Sequence, residues 1–174
     1  MTEKMTVQTK YAVDAVGNYL GGFAGAPIPD GATEVSGPPN HRRDIWGGSK
    51  WVTVIAPEMI NSERDRRILK GTAITVTKYG DIHLTGRASD QSVYLAMLLR
   101  AQGAKAVSIT NAIHAFRDAS NTMHTLTPDQ VIEMVSKAMA WFEAVMKVSW
   151  AMKDGSGDFT GGIPADYSDD KHWP

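Results

Sequence analysis

The chain is 174 residues long, carries a formal net charge of −1 and has no cysteine. That length suits one medium domain, or a small domain with an appendage. The near-neutral charge gives no global pull toward nucleic acid or an anionic membrane, and the missing cysteines exclude disulfides, thiol nucleophiles and thiolate metal sites.

The opening MTEKMTVQTK has no apolar stretch of signal-peptide length, and no run approaches the ~18 apolar residues of a membrane span. A soluble chain assembled in a reducing cytosol is expected, with any role outside a cell implying release by a route other than secretion. From Lys10 to Val52 the sequence is short-period and turn-rich. Tyr11 and Val13 alternate with Ala12 and Asp14 as a strand does, Val16-Gly17-Asn18 reads as a turn, and Tyr19-Leu20 starts the return strand. Ala26 to Ala32 must run extended and then turn, because proline fixes φ and glycine permits positive φ. Thr33-Glu34-Val35 is a short strand, and Ile45-Trp46 and Lys50-Trp51-Val52 flank Gly47-Gly48-Ser49 as a hairpin. A module of roughly 40 residues has little core of its own and is expected to lean on something else.

Pro57 to Lys70 reads as a helix closed by Gly71, with Ile60, Ile68 and Leu69 apolar and the run Glu63, Arg64, Asp65, Arg66, Arg67 taken as a solvated face with local ion pairs. Ala73 to Leu84 predicts a hairpin about Tyr79-Gly80-Asp81, with Ile74 and Val76 facing Ile82 and Leu84. A second helix is expected over Asp90–Gln102, capped by Ser89, ended by Gly103, and buried because Val93, Leu95, Ala96, Met97, Leu98 and Leu99 make it apolar nearly all round. Val107–Phe116 and Met123–Leu126 predict a further hairpin, turning over Arg117 to Asn121.

The long helix starts at a Thr-x-x-Gln capping box, Thr127 to Gln130, with Pro128 in the first helical position, and nothing interrupts it before Gly155. Val131, Met134, Ala138, Trp141, Val145, Val148 and Met152 fall at alternating spacings of three and four, an a/d ladder. Val135 and Phe142, and further round Ile132, Met139 and Met146, add a second stripe. One stripe suffices for a helix on a sheet. Two stripes imply either a helix wrapped by its own domain, or one that gives the a/d ladder to symmetry mates. The last stretch, Gly155 to Pro174, is glycine-rich, acidic and aperiodic, as an arm or a disordered tail would be.

The histidines His41, His83, His114, His124 and His172 form no metal-ligand spacing, and no nucleophile elbow, P-loop or dinucleotide fingerprint occurs. Gly21-Gly22-Phe23-Ala24-Gly25 has no helix after it to receive a phosphate. The carboxylate pair Asp169-Asp170 lacks a scaffold, and acidic residues intersperse the arginine run. No catalytic residue, cofactor, metal, nucleic acid or membrane is therefore expected. Tyr19, Trp46, Trp51 and Trp173 could serve as exposed stacking platforms for a host-surface glycan, although a hairpin minicore is the plainer use of Trp46 and Trp51.

Two resemblances join these readings. YAVDAVGNYLGGFAGAPIPDGATEV followed by PP and IWGGSKWV resembles the opening modules of short bacteriophage tail-fibre and tail-fibre-assembly proteins. Residues from RDRRILKGTAITV through DIHLTGRASDQSVYLAMLLRAQG to HAFRDASNTMHTLTPDQVIEMVSKAMAWFEAVMKVSW resemble an uncharacterised C-terminal domain of phage and prophage proteins, while the segment from Gly155 departs from that pattern. The expected fold is α+β: a β-rich module over 1–52, an α+β domain over 53–154 ending in the long helix, and a tail over 155–174. The resemblance implies a non-enzymatic structural protein of a phage tail or fibre, present in the virion and assembled in the host cytoplasm. It would form a homo-oligomer, a trimer by preference, through the a/d ladder, and bind other tail or fibre proteins. A cytoplasmic fibre-assembly chaperone and a glycan-binding module are the alternatives.

Overall fold

A computed structural model describes residues 8–174. The expectations that fall on residues 1–7, the beginning of the N-terminal module and most of the opening stretch, lie outside the described residues. The architecture is α+β, and the chain divides into two compact units between Ala56 and Pro57.

In the first unit β1 (Thr9–Val13), β2 (Tyr19–Ala24) and β3 (Thr33–Val35) form an antiparallel sheet in the order β2-β1-β3. The β1–β2 turn closes on Asp14, whose carboxylate accepts from the backbone N–H groups of Val16 and Asn18 and from the Asn18 side chain. The Asn18 amide, foremost among these donors, holds the Asp14 pKa below its ordinary value. Gly17 sits at φ +90°, and a Cβ there would lie 2.5 Å from the Trp46 carbonyl oxygen, so conformation and space both require glycine. Trp46 N–H donates to the Gly17 carbonyl at 2.8 Å and so ties the sheet to a hairpin of β4 (Asp44–Trp46) and β5 (Trp51–Thr53). Among the described residues the apolar core is thin, consisting of Ala12, Val13 and Val35. A buried carboxylate here, Asp44, accepts from the Thr53 hydroxyl and the His41 N–H.

The second unit runs α1 (Pro57–Lys70), β6 (Thr72–Val76), β7 (Gly80–Leu84), α2 (Ala88–Ala106), β8 (His114–Arg117), β9 (Met123–Leu126) and α3 (Pro128–Asp154). Both hairpins pair in register, Ile74 opposite Ile82 and Phe116 opposite His124. Their inward residues Ile74, Val76, Ile82, Leu84 and Leu126 meet Ala101 of α2 and Val131, Met134 and Val135 of α3 in one core. α1 packs along α3, and Lys153 reaches Asn61 at 2.9 Å. The capping box at Thr127 is formed in both directions, and Gly155 ends α3 in the left-handed region at φ 60°. At 27 residues, α3 is about 40 Å long.

Four expectations need correction. The charged run on α1 is not all wet: Glu63 and Arg67 are buried, because they share a face with Ile60 and point at the C-terminal segment. α2 runs beyond both expected ends. Ser89 lies inside the helix with its hydroxyl on Asp90, no side chain caps the N-terminus at Arg87, and the helix passes through Gly103. A single interior glycine costs only ~1 kcal/mol, which helix packing absorbs. Nor is α2 buried. Only Ala101 and Ala104 are, while Val93, Leu95 and Leu99 stay more than half exposed, since nothing covers their side of the helix. Finally, strand β8 begins only at His114, with Val107 to Ile113 irregular.

The 155–174 segment, read from sequence as an arm or disordered tail, packs on its own unit through two 3₁₀ turns, Gly157–Phe159 and Asp170–His172. Trp173 is its anchor. The ring is buried, its indole N–H donates to the Tyr167 carbonyl at 2.7 Å, and the Arg67 guanidinium lies 5.0 Å from its centroid. Arg67 also donates to the Ser168 carbonyl and pairs with Glu63 and Asp170. Asp166 pairs with Lys171 and His172, which hold its pKa down at about 2, Lys171 contributing most.

Candidate functional site

The second unit carries an open apolar groove of about 560 Å³. Its floor is the β6–β7 hairpin, through Thr72, Ile74 and Leu84. One wall is the N-terminal half of α2, with Tyr94, Leu95 and Leu98, and the other is the middle of α3, with Val135, Met139 and Phe142. The groove follows from residue size. α2 carries the buried alanines Ala101 and Ala104 toward its C-terminal end, and beside the larger side chains nearer its N-terminus an opening remains between the two helices above the hairpin. The polar groups at its edge, Thr85, Gln91 and Ser92, are uncharged. Tyr94 is partly desolvated there, which raises its phenol pKa. Such a surface excludes ions and accepts aliphatic or aromatic side chains.

The a/d ladder expected to bind symmetry mates is mostly spent inside the unit. Val131, Met134, Val145 and Met152 are fully buried. Val148 lies under the C-terminal segment, beside Phe159, Ile163 and Pro164. Ala138 and Trp141 line the groove, and the Trp141 indole N–H reaches the Pro174 carbonyl at 3.4 Å. Of the second stripe, Met139 is half exposed, while Ile132 packs on the core. Most of the ladder is therefore covered by the rest of the unit, and Ala138 and Trp141 are the members that border the open groove.

The four proposed aromatic platforms also divide. Trp173 is buried and unavailable to a ligand. In the first unit Trp51 stands edge-to-face between Tyr19, at 5.9 Å and 83°, and Trp46, at 5.3 Å and 71°, and its indole donates to the Gly37 carbonyl. These rings use one another as a minicore.

Two polar clusters join elements of the second unit. Asp118 accepts from the N–H groups of Ser120 and Thr122 and from His124 Nε2 at 3.0 Å. The other His124 nitrogen, Nδ1, lies 3.1 Å from the Tyr79 hydroxyl, whose oxygen in turn accepts from the Thr125 N–H. With Nε2 protonated toward the carboxylate, Tyr79 donates to Nδ1, and the chain of bonds ends on backbone. It ties the β6–β7 turn to the β8–β9 hairpin. Burial opposes the ionised Asp118, yet His124 and these N–H donors prevail and leave its pKa below normal. Glu133 binds the Thr77 hydroxyl and backbone N–H and pairs with Lys137; that amine, followed by Thr77, lowers its pKa to about 2. Among the described residues no group of acidic, histidine or cysteine side chains has metal-site geometry. No helix of the described residues is long and apolar enough to cross a membrane.

Fold and groove together define an α+β protein with an uncovered apolar seat between two helices. The family described as "Domain of unknown function (DUF4376)" matches residues 54–169, more than half of the chain, and the chain belongs to that family. The match begins at the boundary of the second unit and takes in the whole groove. No curated protein and no solved structure matches the chain.

Sequence reasoning missed the α2 wall, Leu95 and Leu98, by burying that helix whole. The available signal was a shortage of partners: apolar residues on every side of α2, and too few other elements to cover them all.

Proposed function

We propose that the protein is a non-enzymatic component of a bacteriophage tail or tail-fibre apparatus, a small adaptor that holds a segment of another tail or fibre protein in the α2–α3 groove. The observation that carries this reading is the groove itself, an open and uncharged apolar surface of a size that seats several side chains. The resemblance of the Tyr11–Val52 stretch to tail-fibre and fibre-assembly modules supplies the biological setting. On this reading the protein assembles in the host cytoplasm and ends in the virion.

One observation favours the chaperone alternative. Four members of the ladder, Val131, Met134, Val145 and Met152, are buried, and Ala138 and Trp141 stand on the open groove, where a client could reach them. Mass spectrometry of purified particles, with electron microscopy of a gene-deleted phage, separates the readings. The adaptor is present in stoichiometric amounts and its loss leaves defective tails. A chaperone is absent from particles, yet its loss removes fibres. Absence from particles together with normal tails overturns both. The glycan reading keeps only the Tyr19–Trp46–Trp51 cluster, and binding of the isolated protein to host-surface polysaccharide is its test.

A further inference from the structure

Opposite its core face, α2 presents a second stripe to solvent: Ala88, Ser92, Leu95, Leu99, Gln102 and Ala106. The spacings alternate four and three, so the six residues share one side of the helix, and all six are exposed, Leu95 at 56% and Leu99 at 61%. The buried residues Ala101 and Ala104, with the half-buried Met97, face the other way. The order of side-chain types is small, polar, leucine, leucine, polar, small. It reads the same from either end about Met97.

We propose that this stripe is a self-association surface, on which α2 of a second copy packs antiparallel about a two-fold axis at Met97. An isologous interface must be complementary to itself. Reversal about Met97 sets Leu95 against the partner's Leu99, Ser92 against the partner's Gln102 and Ala88 against the partner's Ala106. In each pair one residue holds an a place and the other a d place, as antiparallel heptad packing requires. An unrelated partner would impose no such symmetry on the stripe. The charges do not oppose it: no residue of the stripe is charged, and the two helix dipoles run antiparallel.

A face of two leucines and small residues over 19 helical positions falls short of the roughly 800 Å² per partner of a standard interface, so the dimer is reversible rather than permanent. Ala88, Ser92 and Leu95 also line the groove, and the second copy therefore narrows its mouth. This inference goes beyond the proposed function. Its failure would leave the groove and the particle experiment untouched.

The test uses the whole chain, which has no cysteine to interfere. Sedimentation should show a monomer–dimer equilibrium with a dissociation constant of ~10–100 µM, and Leu99→Glu should abolish it with the circular dichroism spectrum unchanged. The register is tested separately. The double variant S92C/Q102C, treated with a short bis-maleimide, should give a covalent dimer on a denaturing gel, whereas S92C alone should not. Within one helix these positions are ~15 Å apart, too far for the reagent to bridge internally. A wild-type monomer at several hundred micromolar, a dimer that survives Leu99→Glu, or crosslinking by S92C alone would each overturn the proposal.

Discussion

α3 and α2 are both more apolar than one packed face needs, and the fold treats them differently. α3 is closed at both ends, by the Thr127–Gln130 box and by Gly155, and its ladder is covered on successive stretches by the hairpin core, α1 and the C-terminal segment. α2 has no side-chain N-cap, runs through a glycine, and is covered along one side only. The same kind of side chain is therefore core on one helix and surface on the other. The difference lies in how many elements reach each helix, which its own periodicity does not record. Apolar excess on a helix states that a partner is needed, without saying whether the partner is the same chain.

Substitutions should separate the two helices most sharply at their apolar positions. Met134→Ala on α3 removes a fully buried side chain and should cost ~2–5 kcal/mol in denaturant unfolding, while Leu99→Ala on α2, measured at dilution, should change stability by less than ~0.5 kcal/mol. Equal costs at the two sites would erase the distinction.

The covering of α3 by the C-terminal segment can be broken at Arg67. Losing one partner of a well-buried ion pair costs ~3–5 kcal/mol, and because Arg66 would still reach Glu63, Arg67→Met should cost about 2 kcal/mol. It should also expose the 155–174 segment to limited proteolysis. Destabilisation with the segment still protected would mean that Trp173 holds it without the guanidinium.

A pH titration probes the boundary between α2 and the second hairpin. His114 is buried, its Nε2 has no hydrogen-bond partner, and burial, followed by the charge of Arg100 on α2, lowers its pKa from the ordinary 6.5. The unfolded chain then takes up this proton at a higher pH than the folded one. Above 6.5 the group is neutral in both states and has no effect; as pH falls below 6.5 stability should decline, by at most ~1.4 kcal/mol per pH unit, until the folded-state pKa is reached. His114→Leu should flatten that limb. Glu133 acts at lower pH: its contribution is present above 4.5 and is lost as pH falls toward about 2.

The smallest contrast is at the helix starts. Thr127→Ala should cost ~1 kcal/mol, and Arg87→Asp, which supplies the cap that α2 lacks, should stabilise by ~0.5–1 kcal/mol. A neutral result for Arg87→Asp would show that the start of α2 is set by its tertiary contacts and not by its own ends.

Much of the fold was legible residue by residue. The period of two in Ile74–Val76 and Ile82–Leu84, the turn at Asp14–Asn18 and the bounds of α1 and α3 are local properties, set by backbone sterics and by side chains capping their own neighbourhood. The buried pair Glu63–Arg67 was half legible, since both residues stand on the Ile60 face, but a run of charge ordinarily marks a solvated face. The ends of α2 were not legible, because Ser89 and Gly103 are weak preferences that packing overrides.

The sequence by itself determined the α+β class, the position of the long helix and the presence of more apolar helix surface than a single sheet could cover. Only the tertiary structure decided where that surplus went. It placed most of the a/d ladder inside the unit, brought Trp173 back onto Arg67 across a hundred residues, and left the α2–α3 groove and the outer stripe of α2 open. The reason is physical: hydrophobic burial has no direction, so a stripe fixes that it will be covered but not by what, and coverage depends on which segments, far apart in the chain, arrive at the same place.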